Sequence, residues 1–244
     1  MNPAAAQITA VILAGGFGTR IRHLLGDLPK PMAPVAGRPF VEWVVRYLQH
    51  QGLRSVVLST GHLAETVARH FQAQPVPGMR VECVPETRPL GTAGGFLNAA
   101  RASGIPAPAW LVLNGDSLVL APLADMIRSL KDPAVGGALL GVRVPDAARY
   151  GTLEQDAAGN LTGFQEKRPG AGVVNAGVYL FRESALAKFP VRDPLSFEKE
   201  VFPELLHGAV QLKVTVVQAP FLDIGTPESL PQAEDFIQDH IAWF

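Results

Sequence analysis

The sequence predicts an α/β protein with a doubly wound, mostly parallel mixed sheet and a small antiparallel lid, and three observations carry that prediction. Apolar strand-like runs alternate with stretches of helical spacing up to Val144, which is the signature of βαβ units. The first run, Ile8 to Ala14, empties into the glycine loop Gly15-Gly16-Phe17-Gly18. Beyond residue 145 short strands follow one another, divided by Gly, Asn, Pro and Asp turns.

In order, Ile8 to Ala14 is the first strand. Pro39 to Gln51 carries Phe40, Val41, Val44, Val45 and Leu48 at the spacing of an amphipathic helix, with Gly52 as its stop. Residues 55–59 form a strand, Ala64, Val67, Ala68 and Phe71 mark a second helix, and Arg80 to Val84 is a third strand. Residues 85–101 run from a Pro-bounded loop into a helix start, where Gly91, Gly94 and Gly95 would let a flat ligand come close to the backbone. Ala109 to Leu113 is an uninterrupted strand ending at Asn114-Gly115-Asp116, and ligands of open parallel sheets bind at the carboxyl ends of strands. Pro122 to Leu130 reads as a helix and Gly136 to Val144 as a strand. Residues 145–181 read as an antiparallel or mixed lid with a hairpin turn at Asp156 to Asn160. Helical stretches around 183–188 and 196–207 precede a strand at 210–217. The last helix has Thr226 as N-cap, Pro227 in its first turn and a stripe of Leu230, Ala233, Phe236 and Ile237, which packs inward or against a second copy in a homo-oligomer.

The 244 residues suffice for one large domain, 1–244, with a first part at about 8–144 and a second part, which brings the second acid, at about 145–240. Twenty-one Lys and Arg against 22 Asp and Glu give a formal net charge of -1, so no global field recommends nucleic acid or an anionic membrane as partner. Cys83, the only cysteine, excludes an internal disulfide and sits in a strand alternation as a buried thiol. With no basic leader before a run too short to span a bilayer, the expectation is a soluble, cytoplasmic protein.

The glycines of the first loop lack Cβ atoms and let backbone N–H groups approach an anion, with Arg20 and Lys30 adding charge. Pro29 and Pro31 stiffen the segment that delivers Lys30. The same pattern alone also describes an ordinary strand-to-helix turn with two solvated cations. A Walker loop is excluded because Thr19-Arg20 follow Gly18, and a dinucleotide fingerprint because Ile21 stands where a third Gly or Ala belongs. Asp116, Asp223 and the Glu166-Lys167 pair complete a constellation suited to a reaction between two phosphates. Two carboxylates and substrate phosphates are a usual Mg²⁺ environment. No protein nucleophile is needed, because a phosphate monoester with second pKa near ~6 is already largely dianionic at neutral pH.

Leu13 to Arg20, Pro29-Lys30-Pro31, Pro89 to Gly94, Asn114-Gly115-Asp116, Tyr150-Gly151, Glu166-Lys167, Asn175-Ala176-Gly177 and Asp223 to Glu228 together resemble the sugar-phosphate nucleotidyltransferase family from about residue 8 to 240. Gly26 to Phe40, with the Asp223 segment, most resembles its heptose 1-phosphate guanylyltransferases. Relatives act on mannose 1-phosphate or, with thymidine triphosphate, on glucose 1-phosphate. One departure is Ile21-Arg22-His23, where many members carry Leu-x-Pro.

The resemblance implies a Rossmann-like fold and a Mg²⁺-dependent exchange of GTP and a sugar 1-phosphate for a nucleotide sugar and pyrophosphate. It makes Leu13, Gly15, Gly16, Gly18, Thr19, Pro89, Gly91 and Thr92 nucleotide contacts. Arg20 and Lys30 become phosphate-binding catalytic residues, and Asp116 and Asp223 the metal ligands. Asn114, Tyr150, Gly151, Glu166, Lys167 and Asn175 line the sugar-phosphate side. Glu86 falls where the base-reading loop of the family begins. Guanine presents N1–H and N2–H₂ donors side by side, which a carboxylate accepts as a pair, whereas thymine offers one N3–H between two acceptors, so Glu86 favours GTP. A catalytically silent nucleotide-sugar sensor on the same fold is the alternative of another class; loss of Arg20, Lys30, Asp116 or Asp223 would mark it, and all four are present.

Overall fold

The computed structural model describes residues 5–16, 20–166 and 169–244. In chain order it contains β1 (Thr9–Ala14), α1 (Arg22–Leu25), β2 (Pro34–Val35), β3 (Arg38–Pro39), α2 (Phe40–His50), β4 (Ser55–Thr60), α3 (Ala64–Ala73), β5 (Arg80–Pro85), α4 (Thr92–Ala102), β6 (Ala109–Asn114) and β7 (Ser117–Val119). There follow α5 (Ala124–Ser129), β8 (Val135–Val144), β9 (Gly151–Gln155), β10 (Leu161–Glu166), β11 (Gly172–Arg182), α6 (Phe202–His207), β12 (Gln211–Val217), β13 (Phe221–Asp223) and α7 (Ala233–Asp239).

Nine strands form one mixed sheet in the order β10-β9-β11-β6-β1-β4-β5, with β8 paired to β11 and β12. The parallel heart is β6-β1-β4-β5, of which β1, β4 and β6 are almost wholly buried because both faces are covered, while the edge strand β5 is only partly buried. Alternate residues of β1 serve opposite layers. Ala10 and Ile12 pack with Phe40, Val44, Phe71 and Ile237 on one face. Val11 packs with Phe96, Phe197 and Phe202 on the other.

Helix α2 buries Phe40, Val41, Val44, Val45 and Leu48, as its spacing predicts. It ends in a Schellman arrangement: Leu53 N–H donates to Leu48 O at 3.1 Å and Gly52 N–H to Gln49 O at 2.9 Å, with Gly52 at φ +93°. The departure at Ile21-Arg22-His23 folds as the short α1, with Ile21 fully buried ahead of it. Cys83 is half-buried on β5, where burial and then the Glu82 charge push its thiol up to about 11, in keeping with an inert strand position.

Three boundaries differ from the sequence expectation. The antiparallel section is continuous with the main sheet, because β11 hydrogen-bonds directly to β6 from Val178↔Leu113 to Arg182↔Ala109. The helix expected from Pro122 starts at Ala124, since Leu123 N–H is taken by Gln51 Oε1 at 3.0 Å and Ala121 O by the Tyr47 hydroxyl at 2.7 Å. The last helix starts at Ala233 instead of at Thr226. Thr226 Oγ1 does accept the Ser229 N–H at 3.3 Å, as a cap would, but Pro231 has no N–H to continue the ladder, so a turn and the 3₁₀ segment Leu230–Gln232 intervene. Ala233 and Ile237 of α7 then pack inward on the core.

Register aligns the carboxyl ends of the parallel strands, with Leu13 opposite Asn114 and Ala14 opposite Thr60. Beyond them β7 and β13 pair antiparallel, Ser117 facing Asp223, and Ile224 N–H donates to Asp116 O at 2.9 Å. Two distant stretches of sequence thereby set their acids side by side.

Candidate active site

Lys30 begins a 3₁₀ turn entered from extended Pro29, and its Nζ lies 2.5 Å from Asp116 Oδ2. Asp223 Oδ1 accepts the Gly225 N–H at 2.7 Å. A Cβ on Gly225 would stand 2.7 Å from that oxygen and 3.2 Å from Lys30 Nζ, so only glycine fits between acid and ammonium. Burial, and then the charge of Asp116, hold the Asp223 carboxyl above its usual range, despite the opposing pull of the Gly225 N–H, Lys30 and Arg149. Arg149 lies within 3.5 Å of Thr226 Oγ1. Tyr150 packs edge-on against Phe221 at 5.4 Å, and its hydroxyl is pushed up by burial and by Asp223. Among the described residues no three His, Cys, Asp or Glu side chains cluster as a metal site, so the oxygen donors on offer are the two carboxylates.

Asp116 opens onto a cavity of about 340 Å³ walled also by Leu13, Gly15, Gly16, Glu86, Pro89, Leu90, Gly91, Thr92 and Asn114. The Glu86 carboxylate accepts from Ser59 Oγ at 2.9 Å and from the Leu90 N–H at 3.4 Å. It lies so close to Gly15 and Gly95 that their Cβ atoms would stand 2.5 and 2.7 Å from Oε1. Space beside Gly16 is open, with nothing within 4 Å of an added Cβ. The absent Cβ atoms also serve protein neighbours: Gly91, which lines the cavity, makes room for the Leu195 carbonyl, which accepts the Ala93 and Gly94 N–H groups at 3.0 and 3.1 Å, and Gly95 makes room for Glu86. These glycines admit protein atoms.

Asn175 Oδ1 accepts the Gly177 N–H at 3.1 Å, and Asn175 Nδ2 donates to the Tyr179 hydroxyl at 2.7 Å. Pairing of β11 with β8 is irregular between Asn175 and Tyr179, and Gly177, at φ +69°, lies against the Asn114 side chain. Gly151 leaves room for the Phe164 ring. Arg20 is exposed on the turn before α1 and does not line the cavity. Gly18, Thr19 and Lys167 lie outside the described residues, as does the Glu166 side chain, whose backbone pairs with Gly151. The structure therefore gathers Lys30, Asp116 and Asp223, and around the cavity Leu13, Gly15, Gly16, Glu86, Pro89, Gly91, Thr92 and Asn114. Sequence reasoning missed Ser59, Arg149, Tyr179, Glu198 and Gly225. Of these only Gly225, inside the Asp-Ile-Gly-Thr-Pro-Glu run, carried a visible signal.

A second cavity, of about 460 Å³, lies at the amino ends of β1 and β6 beside Ile8 and Ala109, away from the strand ends that carry Asp116. Its Arg182 guanidinium donates to the carbonyls of Val135, Leu130 and Asp132.

A family model described as nucleotidyl transferase matches residues 9–240. The chain is 34% identical over 228 residues to the mannose-1-phosphate guanylyltransferase of Mycobacterium tuberculosis, covering 92% of this chain and 63% of that one. It is 31% identical over 220 residues to the D-glycero-alpha-D-manno-heptose 1-phosphate guanylyltransferase of Campylobacter jejuni, covering 90% and 95%. The crystal structure of HddC from Yersinia pseudotuberculosis complexed with GMP-PN superposes with a TM-score of 0.82 at 32% identity, covering 93% of this chain and 98% of that one. The chain thus spans less than two thirds of the mycobacterial relative and nearly all of the other two.

Proposed function

The chain belongs to the nucleotidyl transferase family, and from that premise we propose that it transfers a guanylyl group from GTP to D-glycero-α-D-manno-heptose 1-phosphate in the cytoplasm, yielding GDP-heptose for surface polysaccharide and pyrophosphate. The observation that carries the reading is the Lys30–Asp116–Asp223 cluster at the mouth of a cavity whose far wall is Glu86. Heptose is supported by the 31% identity to the Campylobacter relative over 220 residues and by the resemblance of Gly26 to Phe40. The 34% identity to the mycobacterial protein favours mannose 1-phosphate as the second reading.

In this mechanism an oxygen of the sugar phosphate attacks the α-phosphorus of GTP, that P–O bond forms, and the bond to the β-phosphate breaks to release pyrophosphate. The nucleophile arrives as a dianion, so the protein has mainly to position it and to stabilise charge. Arg20 and Lys30 are assigned to the departing pyrophosphate, and Gly15, Gly16 and Gly18 to backbone contacts with the nucleotide. Asn114, Asn175, Gly151, Tyr150, Glu166 and Lys167 are assigned to the sugar phosphate, so that the parts at about 8–144 and 145–240 act as one domain. Asp116 and Asp223 suit a hard divalent cation: both donors are oxygens, and their mutual repulsion, expressed in the raised Asp223 carboxyl, is what such a charge relieves. Mg²⁺ held there by Asp116 and Asp223 would supply positive charge against the charge that develops during transfer.

Glu86 reads the base. Its oxygens each retain acceptor capacity beyond the bonds from Ser59 and Leu90, enough for the paired donors of guanine. Glu86→Gln puts an NH₂ where one acceptor stood and is expected to lower kcat/KM for GTP by on the order of 10- to 100-fold, with a smaller loss for TTP. Pyrophosphate release with both nucleotides checks this; an unchanged GTP/TTP ratio would rule the assignment out.

A further inference from the structure

We propose that Glu198 is a positioning residue that ties Thr92, on the cavity wall, to Asn175, an inference that rests on the assignment of Thr92 to the nucleotide and of Asn175 to the sugar phosphate. Glu198 lies in the π-helical turn Phe197–Val201 that leads into α6. Ser196 caps that turn, accepting the Lys199 N–H at 3.3 Å and donating to Glu198 Oε2 at 2.9 Å. The same oxygen accepts from Thr92 Oγ1 at 3.4 Å. Thr92, which also accepts the Phe197 N–H at 3.0 Å, is part of the cavity wall.

The other oxygen, Oε1, accepts from the Tyr179 hydroxyl at 3.0 Å, and Tyr179 in turn accepts from Asn175 Nδ2. Tyr179 is fully buried, and burial with the adjacent Glu198 charge holds its phenol well above the usual range, so it remains a donor. Each link fixes the next. A carboxylate that only accepts orients the tyrosine hydroxyl; the hydroxyl, its proton committed, accepts only from the amide; and the Asn175 carbonyl is left to the Gly177 N–H. Gly177, held by that carbonyl, lies against the side chain of Asn114, which lines the cavity. The groups meeting Glu198 are hydroxyls that donate to it, and a Gln would turn an NH₂ toward either Tyr179 or the Ser196 and Thr92 pair, so the hydroxyls of one arm would have to reverse from donor to acceptor.

The relay is tested first in the substrate-free protein, through the side-chain amide resonances of ¹⁵N-labelled Asn175. Glu198→Gln is expected to shift them although Glu198 does not touch Asn175. In kinetics with GTP and sugar 1-phosphate, Glu198→Gln is expected to raise both KM values by about ten-fold while kcat stays within about three-fold. Tyr179→Phe is expected to raise only the KM for the sugar phosphate. A merely structural role would lower melting temperature and active fraction without moving KM. Unmoved Asn175 resonances, or a rise in fewer than both KM values in Glu198→Gln, would overturn the relay. If Glu198→Gln does not fold, Tyr179→Phe decides by whether the sugar-phosphate KM alone rises. A wild-type protein that releases no pyrophosphate would overturn the functional reading instead, and the resonances would still judge the relay.

Discussion

Asp223→Asn is expected to lower kcat by about 10³-fold, equivalent to about 4 kcal/mol, without loss of melting temperature. The two effects separate because the carboxylate is a liability to the fold. Burial and Asp116 raise its pKa, so the folded state binds this proton more readily than the unfolded chain. Its contribution to stability is therefore fully present below the ordinary carboxylate pKa and is lost as pH rises through the raised folded value. At neutral pH the ionised Asp223 opposes folding, and Asn removes that charge while its carbonyl can still accept the Gly225 N–H. Thermal melts at neutral and acidic pH, alongside turnover, check both halves. Full activity would refute the proposed metal role, and a large fall in melting temperature would refute the electrostatic cost.

Lys30→Met is expected to cost about 10²-fold in kcat/KM for GTP, or about 3 kcal/mol. The ammonium that meets Asp116 in the free protein is the one assigned to the leaving pyrophosphate. Its side chain is 13% exposed, set by the 3₁₀ turn and the prolines on both sides, whereas Asp116 is 40% exposed and keeps access to water when unpaired. Stability should consequently change far less than activity. Steady-state kinetics with a melting curve test this, and activity within about three-fold of wild type would remove Lys30 from the chemistry.

The parallel half of the fold was legible because β1, β4 and β6 are covered on both faces and read as apolar runs, and because α2 and α3 show their buried stripes directly. Asp116 was legible as a site residue from its place after a strand. That Asp223 stands beside it was visible only by resemblance, since the juxtaposition depends on β7 pairing with β13 from a distant part of the chain. The protein neighbours of the glycines at 91 and 95 were not legible, because a residue without a Cβ serves a protein carbonyl or a carboxylate as readily as a ligand. Glu198 was hidden in the charged run Glu198-Lys199-Glu200, which resembles a solvated helix face until Tyr179 is seen to come up beneath it. The late start of α7 turned on Pro231, a residue that a stripe of apolar spacing overrides on paper but not in hydrogen bonds.

The most direct measurement of guanylyl transfer to a heptose phosphate is pyrophosphate release by the wild-type protein with Mg²⁺, across the common nucleoside triphosphates and a panel of sugar 1-phosphates that includes heptose and mannose. The predicted result is the highest kcat/KM with GTP and D-glycero-α-D-manno-heptose 1-phosphate, by on the order of ten-fold over mannose 1-phosphate. No release with GTP and any sugar 1-phosphate, or a clear preference for another nucleotide, would contradict it.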